Sequence, residues 1–183
     1  MAYDDEADED ADLDMRPRRK KNGSDNLPVF CTVVFIIDLV FMALRALMVL
    51  GGVAGLMFLR NNPNTPPALL TSAVFEIAFG AGMALFGLLG SGAMLAKQRW
   101  GLIPAALKIL ANLGSLGVAV WQLTMIDQIV AAPPNMDPAT MRTAQMAGAA
   151  FSLLVRLGFL GLYVAAVVTF MRWSEQRDAR YER

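Results

Sequence analysis

Four apolar runs dominate the chain: Pro28 to Leu59, Pro67 to Ala96, Trp100 to Ala132 and Ala139 to Trp173. Each exceeds the ~20 residues that a helix needs to cross ~30 Å of hydrocarbon. Hydrocarbon offers no hydrogen-bond partners, so runs of this length form helices that satisfy their own backbone. The breaks between them suit turns. "RNNPNTPP" (Arg60 to Pro67) and "AAPPNMDP" (Ala131 to Pro138) cannot continue a helix, and "KQRW" (Lys97 to Trp100) is a short basic link. The pattern predicts an all-α integral membrane protein, a four-helix transmembrane bundle over residues 28–173. At 183 residues, 56% hydrophobic and 17% charged, the chain has room for one such domain.

The flanks are charged and segregated. Eight acids fall between Asp4 and Asp14 and five bases between Arg16 and Lys21. Residues 1–27 carry too little apolar surface to offset the entropy of ordering, which predicts a disordered tail. Residues 174–183 form a second charged tail. Lysine and arginine concentrate in these tails and in the Lys97/Arg99 link, whereas the other two loops carry only Arg60 and Arg142. That asymmetry predicts cytoplasmic termini in a cytoplasmic-type membrane. Trp100, Trp173 and Tyr181 fall where amphipathic rings would meet the headgroups. The first run is too long for a cleaved signal peptide. On the cytoplasmic side the "NGS" at Asn22 to Ser24 is a chance glycosylation match.

Against this background the interior charges stand out. Asp38 and Arg45 are seven residues apart in the first run, almost two turns and about 10 Å of rise, so they share a helix face with Cys31 and Gly52. In the second run Glu76 shares a face with Gly80, Met83, Gly87 and Gly90. In the third, Lys108, Asn112, Ser115, Ala119 and Gln122 recur at spacings of four and three. In the fourth, Arg142, Gln145, Ala149, Ser152, Arg156 and Tyr163 lie together. Lipid cannot satisfy such stripes, so they should turn inward, with small residues permitting close helix approach. Asp38 and Lys108 lie at similar depth and are expected partners. Arg45 and Glu76 form a second expected pair, and Arg156 remains near mid-membrane.

Much chemistry is excluded. The chain has no histidine and a single cysteine, Cys31, which removes haem ligation, most zinc sites, the usual general base and any disulfide-type redox pair. No catalytic, cofactor or metal site is expected, and no nucleic acid partner. The methionines read as adaptable packing, and Cys31 as a small buried apolar residue rather than an acylation site. The expected partners are the bilayer and other membrane subunits, as a homo-oligomer or a larger complex.

The charges at Asp38, Arg45, Glu76, Lys108, Asn112, Gln122 and Arg156 are expected to be ion pairs and amide contacts that lock the arrangement of a non-enzymatic structural or accessory component. The alternative is a small transporter or channel-like protein in which they line a hydrated path, with Glu76 or Asp38 as a proton-coupled carboxylate and Arg156 as a solute contact. A weak internal echo relates "PNTPPA" (Pro63 to Ala68) to "PNMDPA" (Pro134 to Ala139) and "GLLG" (Gly87 to Gly90) to "GFLG" (Gly158 to Gly161) at one common offset, as a duplication of the second and fourth helices would.

Overall fold

The computed structural model describes residues 26–63, 65–125 and 138–181. The charged N-terminal stretch, its "NGS" and most of the second proline-rich loop lie outside the described residues. Four long helices account for nearly all the rest: α1 (Val29–Asn61), α2 (Pro67–Leu95), α3 (Leu102–Thr124) and α4 (Pro138–Tyr181). All four are long and apolar enough to cross a membrane, which makes this an integral membrane protein. They run up and down in sequence. α1 packs along α2 and α2 along α3, while α4 closes the ring against α1 and α3 through sparser contacts.

Prolines start two of the helices, where the missing N–H costs nothing: Pro67 opens α2 and Pro138 opens α4. Thr65 Oγ1 donates to Leu59 O at 2.8 Å and closes the turn after α1. The α2 to α3 corner is a Schellman closure. Lys97 N donates to Met94 O at 3.0 Å and Gln98 N to Ala93 O at 2.9 Å, with Lys97 in the left-handed region at φ 60°. A single 3-10 turn, Arg99–Gly101, then leads into α3.

The core sits at the end where α1 and α3 begin and α2 and α4 finish, called here the near end. Cys31, Phe35, Met94, Ala105, Tyr163, Ala166, Phe170 and Trp173 pack there, with Phe35 edge-on to both Tyr163 and Phe170. Cys31 is buried and donates its thiol to Ala166 O at 3.4 Å. Close approach of α2 and α3 depends on glycine at one crossing. A Cβ on Gly90 would lie 3.0 Å from Ala105 N, and one on Gly101 would lie 3.0 Å from Gly90 O. Toward the far end large apolar side chains such as Met48, Leu50, Met57 and Phe58 are exposed. An apolar exterior of this extent suits hydrocarbon.

One boundary differs from the sequence expectation. α3 is described to Thr124, where the N–H of Met125 turns back to the carbonyls of Trp121 and Gln122 and Thr124 Oγ1 donates to Trp121 O at 2.7 Å, and the rest of the expected run to Ala132 lies outside the described residues. α4 continues past Trp173 through Tyr181, so most of the second charged tail is helix. Its glutamate, glutamine, alanine and arginine residues are good helix formers. Arg177 Nη1 donates to Lys97 O at 3.2 Å and Arg99 Nη1 to Asp178 Oδ2 at 2.8 Å, tying this extension to the α2 to α3 corner.

Candidate functional site

Each helix turns small or polar residues toward the other helices. On α1 the face carrying Asp38 and Arg45 turns toward α2, α3 and α4, and both residues are half-buried. Gly80, Met83, Gly87 and Gly90 of α2 are all buried, so the small-residue face of that helix lies inside, but Glu76, expected on the same inner face, is exposed. On α3, Lys108 and Ser115 are buried. On α4, Gln145, Ser152 and Arg156 are half-buried and Tyr163 fully so, whereas Arg142 is exposed and departs from the expected inner face.

Just above the near-end core, four side chains form a closed cluster. Lys108 Nζ donates to Asp38 Oδ1, and the Ser91 hydroxyl donates to Asp38 Oδ2 at 2.6 Å. Ser91 also lies 3.5 Å from the Tyr163 hydroxyl. The Lys108 ammonium stands 3.5 Å from the centroid of the Tyr163 ring, where the negative face of the ring supports a cation. Lys108 is 3% exposed and Asp38 11%, so the pair is held away from solvent. A buried ion pair is tolerable only when its remaining bonding capacity is filled, and here both carboxylate oxygens are engaged. Gly87 makes room: a Cβ there would meet Met42 and lie 3.3 Å from Lys108 Cδ.

Beyond this cluster the charges are differently arranged. Arg45 and Glu76 do not form the expected ion pair. Glu76 Oε1 accepts a hydrogen bond from Gln122 Nε2 at 3.1 Å, while Arg45 Nε is buried with no hydrogen-bond partner. The reason is packing: the Arg45 guanidinium lies against Gly80, where an added Cβ would be 3.6 Å from Nε, one turn along α2 from Glu76. Arg156 Nη1 reaches Ser115 Oγ at 3.3 Å, and Asn112 bonds locally, donating to Lys108 O at 3.1 Å.

Three cavities separate these groups. One of about 410 Å³ lies between α2, α3 and α4 at the far end and is lined by Glu76, Gln122, Gln145, Ser152 and Arg156 among others. A second of about 220 Å³ lies between α1 and α2 and includes Arg45, Glu76, Gly80 and Arg156. A third of about 210 Å³ lies between α1, α3 and α4 and includes Asp38, Arg45, Lys108, Asn112, Arg156 and Tyr163. Arg156 lines all three, so one guanidinium stands at their junction.

Ser91 was not among the expected site residues, although it completes the carboxylate's partners. The signal was present: Ser91 is one turn beyond Gly87 on the inner face of α2. Comparisons of the chain with protein-family models, with curated proteins and with solved structures find no match.

Proposed function

We propose that this four-span protein is a small transporter or channel-like protein, non-enzymatic, whose interior binds and passes a small polar solute. The observation that carries this reading is the position of Arg156 at the junction of three cavities, with Arg45 and Glu76 beside it and not paired to each other. An ionised group inside a membrane is costly to keep, and such groups mark solute and ion routes when they face a cavity. Glu76 at the far-end cavity suits a gate or a proton-exchanging carboxylate, and the Asp38, Ser91, Lys108 and Tyr163 cluster forms the floor. The charged near end faces the cytoplasm, and the far-end cavity faces the opposite side.

The test is flux into phospholipid vesicles holding the purified full chain and a pH-sensitive dye, with chloride, acetate and octanoate supplied outside in turn. Flux of one of these that falls at least about tenfold in Glu76→Gln, while thermal unfolding is retained, is the expected result. The absence of flux above that of empty vesicles for protons and for all three anions overturns it.

A second reading is favoured by the completeness of the near-end cluster. Its saturated bonding suits an accessory subunit whose charges fix one helix arrangement, with other membrane helices of a homo-oligomer or larger complex covering its far half.

A further inference from the structure

The cavity between α1, α3 and α4 is polar on one side and apolar on the other. Arg45, Lys108, Asn112 and Arg156 line its inner wall, while Ile37, Phe41, Phe159 and Leu162 line the side between α1 and α4. Those four apolar residues are also exposed, 44 to 51%, so this wall belongs to the lipid-facing surface of the bundle. The rings of Phe41 and Phe159 meet across the gap with centroids 5.3 Å apart.

We propose that this cavity is a binding site for an amphipathic monoanion, a carboxylate with a short apolar body, whose head sits between Arg45 and Arg156 and whose tail passes under the Phe41 and Phe159 rings toward the bilayer. The proposal rests on reading the interior as a solute site, and it names the solute class.

Charge sets the sign and the valence. Five charged side chains line the cavities: the acids Asp38 and Glu76, the latter exposed, and the bases Arg45, Lys108 and Arg156. The described interior therefore carries one more positive charge than negative. Both oxygens of Asp38 are engaged by Lys108 and Ser91, and Glu76 accepts from Gln122 through Oε1; neither acid forms an ion pair with Arg45 or Arg156. A guanidinium does not relieve the imbalance by losing a proton, since arginine stays protonated in proteins. A single negative charge from a ligand does relieve it, and a cation would meet three others.

Shape sets the rest. A guanidinium presents its donors in a planar fork that matches the two oxygens of a carboxylate. Arg45 and Arg156 both line the cavity, so two such forks are available to one head. The apolar wall rewards a ligand that buries methylene groups, which an inorganic anion cannot do. The volume, about 210 Å³, suits a short chain rather than a two-tailed lipid.

Octanoate is the probe. The full chain is placed in phosphatidylcholine nanodiscs, and binding of labelled octanoate is measured after subtracting uptake by empty nanodiscs. Saturable binding is expected, weakened about tenfold or more in Arg45→Gln and in Arg156→Gln, since a charge-assisted hydrogen bond is lost in each. Leu160→Trp, which fills the cavity and keeps every charge, should abolish binding while retaining the cooperative thermal transition. Lys97→Gln, at the near-end corner, should leave binding unchanged. No saturable binding, binding unaffected by both arginine substitutions, or displacement by chloride at equal concentration overturns the site. Should an arginine variant fail to fold, Leu160→Trp and chloride competition decide. Octanoate bound without flux in vesicles supports the site and sinks the transport reading. Flux of another anion through Glu76 without octanoate binding does the reverse.

Discussion

The ammonium of Lys108, on α3, donates to Asp38 of α1 while lying 3.5 Å from the centroid of the Tyr163 ring of α4, so one cation ties three helices together. Removing either charge leaves the other buried and uncompensated. Asp38→Asn or Lys108→Met alone should each cost about 3 to 5 kcal/mol, because an unpaired charge in this environment is far worse than no charge. The double variant should lose less than the sum by about 0.5 to 3 kcal/mol. A double-mutant cycle on denaturant unfolding in bicelles measures this, and additive losses would count against the pair.

Glycine positions provide a contrast within one protein. Gly90→Ala places a methyl against the backbone of Ala105 and should destabilise by about 1 to 3 kcal/mol, with α2 pushed from α3. Gly117 has nothing within 4 Å of an added Cβ. Gly117→Ala should be neutral or stabilising by up to ~1 kcal/mol through helix propensity. Equal effects at the two sites would refute the crossing described here.

Lys97 holds a left-handed conformation at the corner after α2, φ 60°, which costs an ordinary side chain about 1 kcal/mol. Lys97→Gly should therefore raise the unfolding midpoint, and Lys97→Val should lower it. The carbonyl of Lys97 keeps its bond from Arg177 in both. The comparison is a thermal melt of the two variants side by side.

The Arg99 to Asp178 pair is 2.8 Å long but exposed, 50% and 34% at its two side chains. Surface pairs of this kind contribute less than about 1 kcal/mol, and salt screens them. Asp178→Asn should shift stability slightly in low salt and hardly at all near 1 M. A large loss independent of salt would mean that the α4 extension is held chiefly by this carboxylate.

Topology follows from the basic flanks. Reporter fusions before α1 and after α4 should both report the cytoplasmic side, and a reporter in the α1 to α2 turn the opposite side. Either terminal fusion on the far side would reverse the polarity of the cavity system.

The number of spans was legible in the sequence, because the apolar runs act locally. So was the depth at which Asp38 and Lys108 lie, since helical rise converts residue number into position along the bundle. The length of α4 was less legible. Its extension to Tyr181 brings Arg177 and Asp178 against the corner at Lys97 and Arg99, which are about 80 positions away in the chain.

Sequence alone determined that this chain forms four membrane-spanning helices, each with a face too polar for lipid, since hydropathy and periodicity belong to single segments. Only the tertiary structure decided which polar groups meet. Depth is readable from residue number, but rotation about each helix axis is set by how small residues on neighbouring helices let backbones approach. Gly90 brings α2 and α3 together at the near end, which carries Ser91 to Asp38. Gly80 seats the Arg45 guanidinium one turn from Glu76, which leaves Glu76 to Gln122 and opens cavities between the guanidiniums. A rotation of α1 by part of a turn would exchange these partners while leaving every hydropathy signal unchanged.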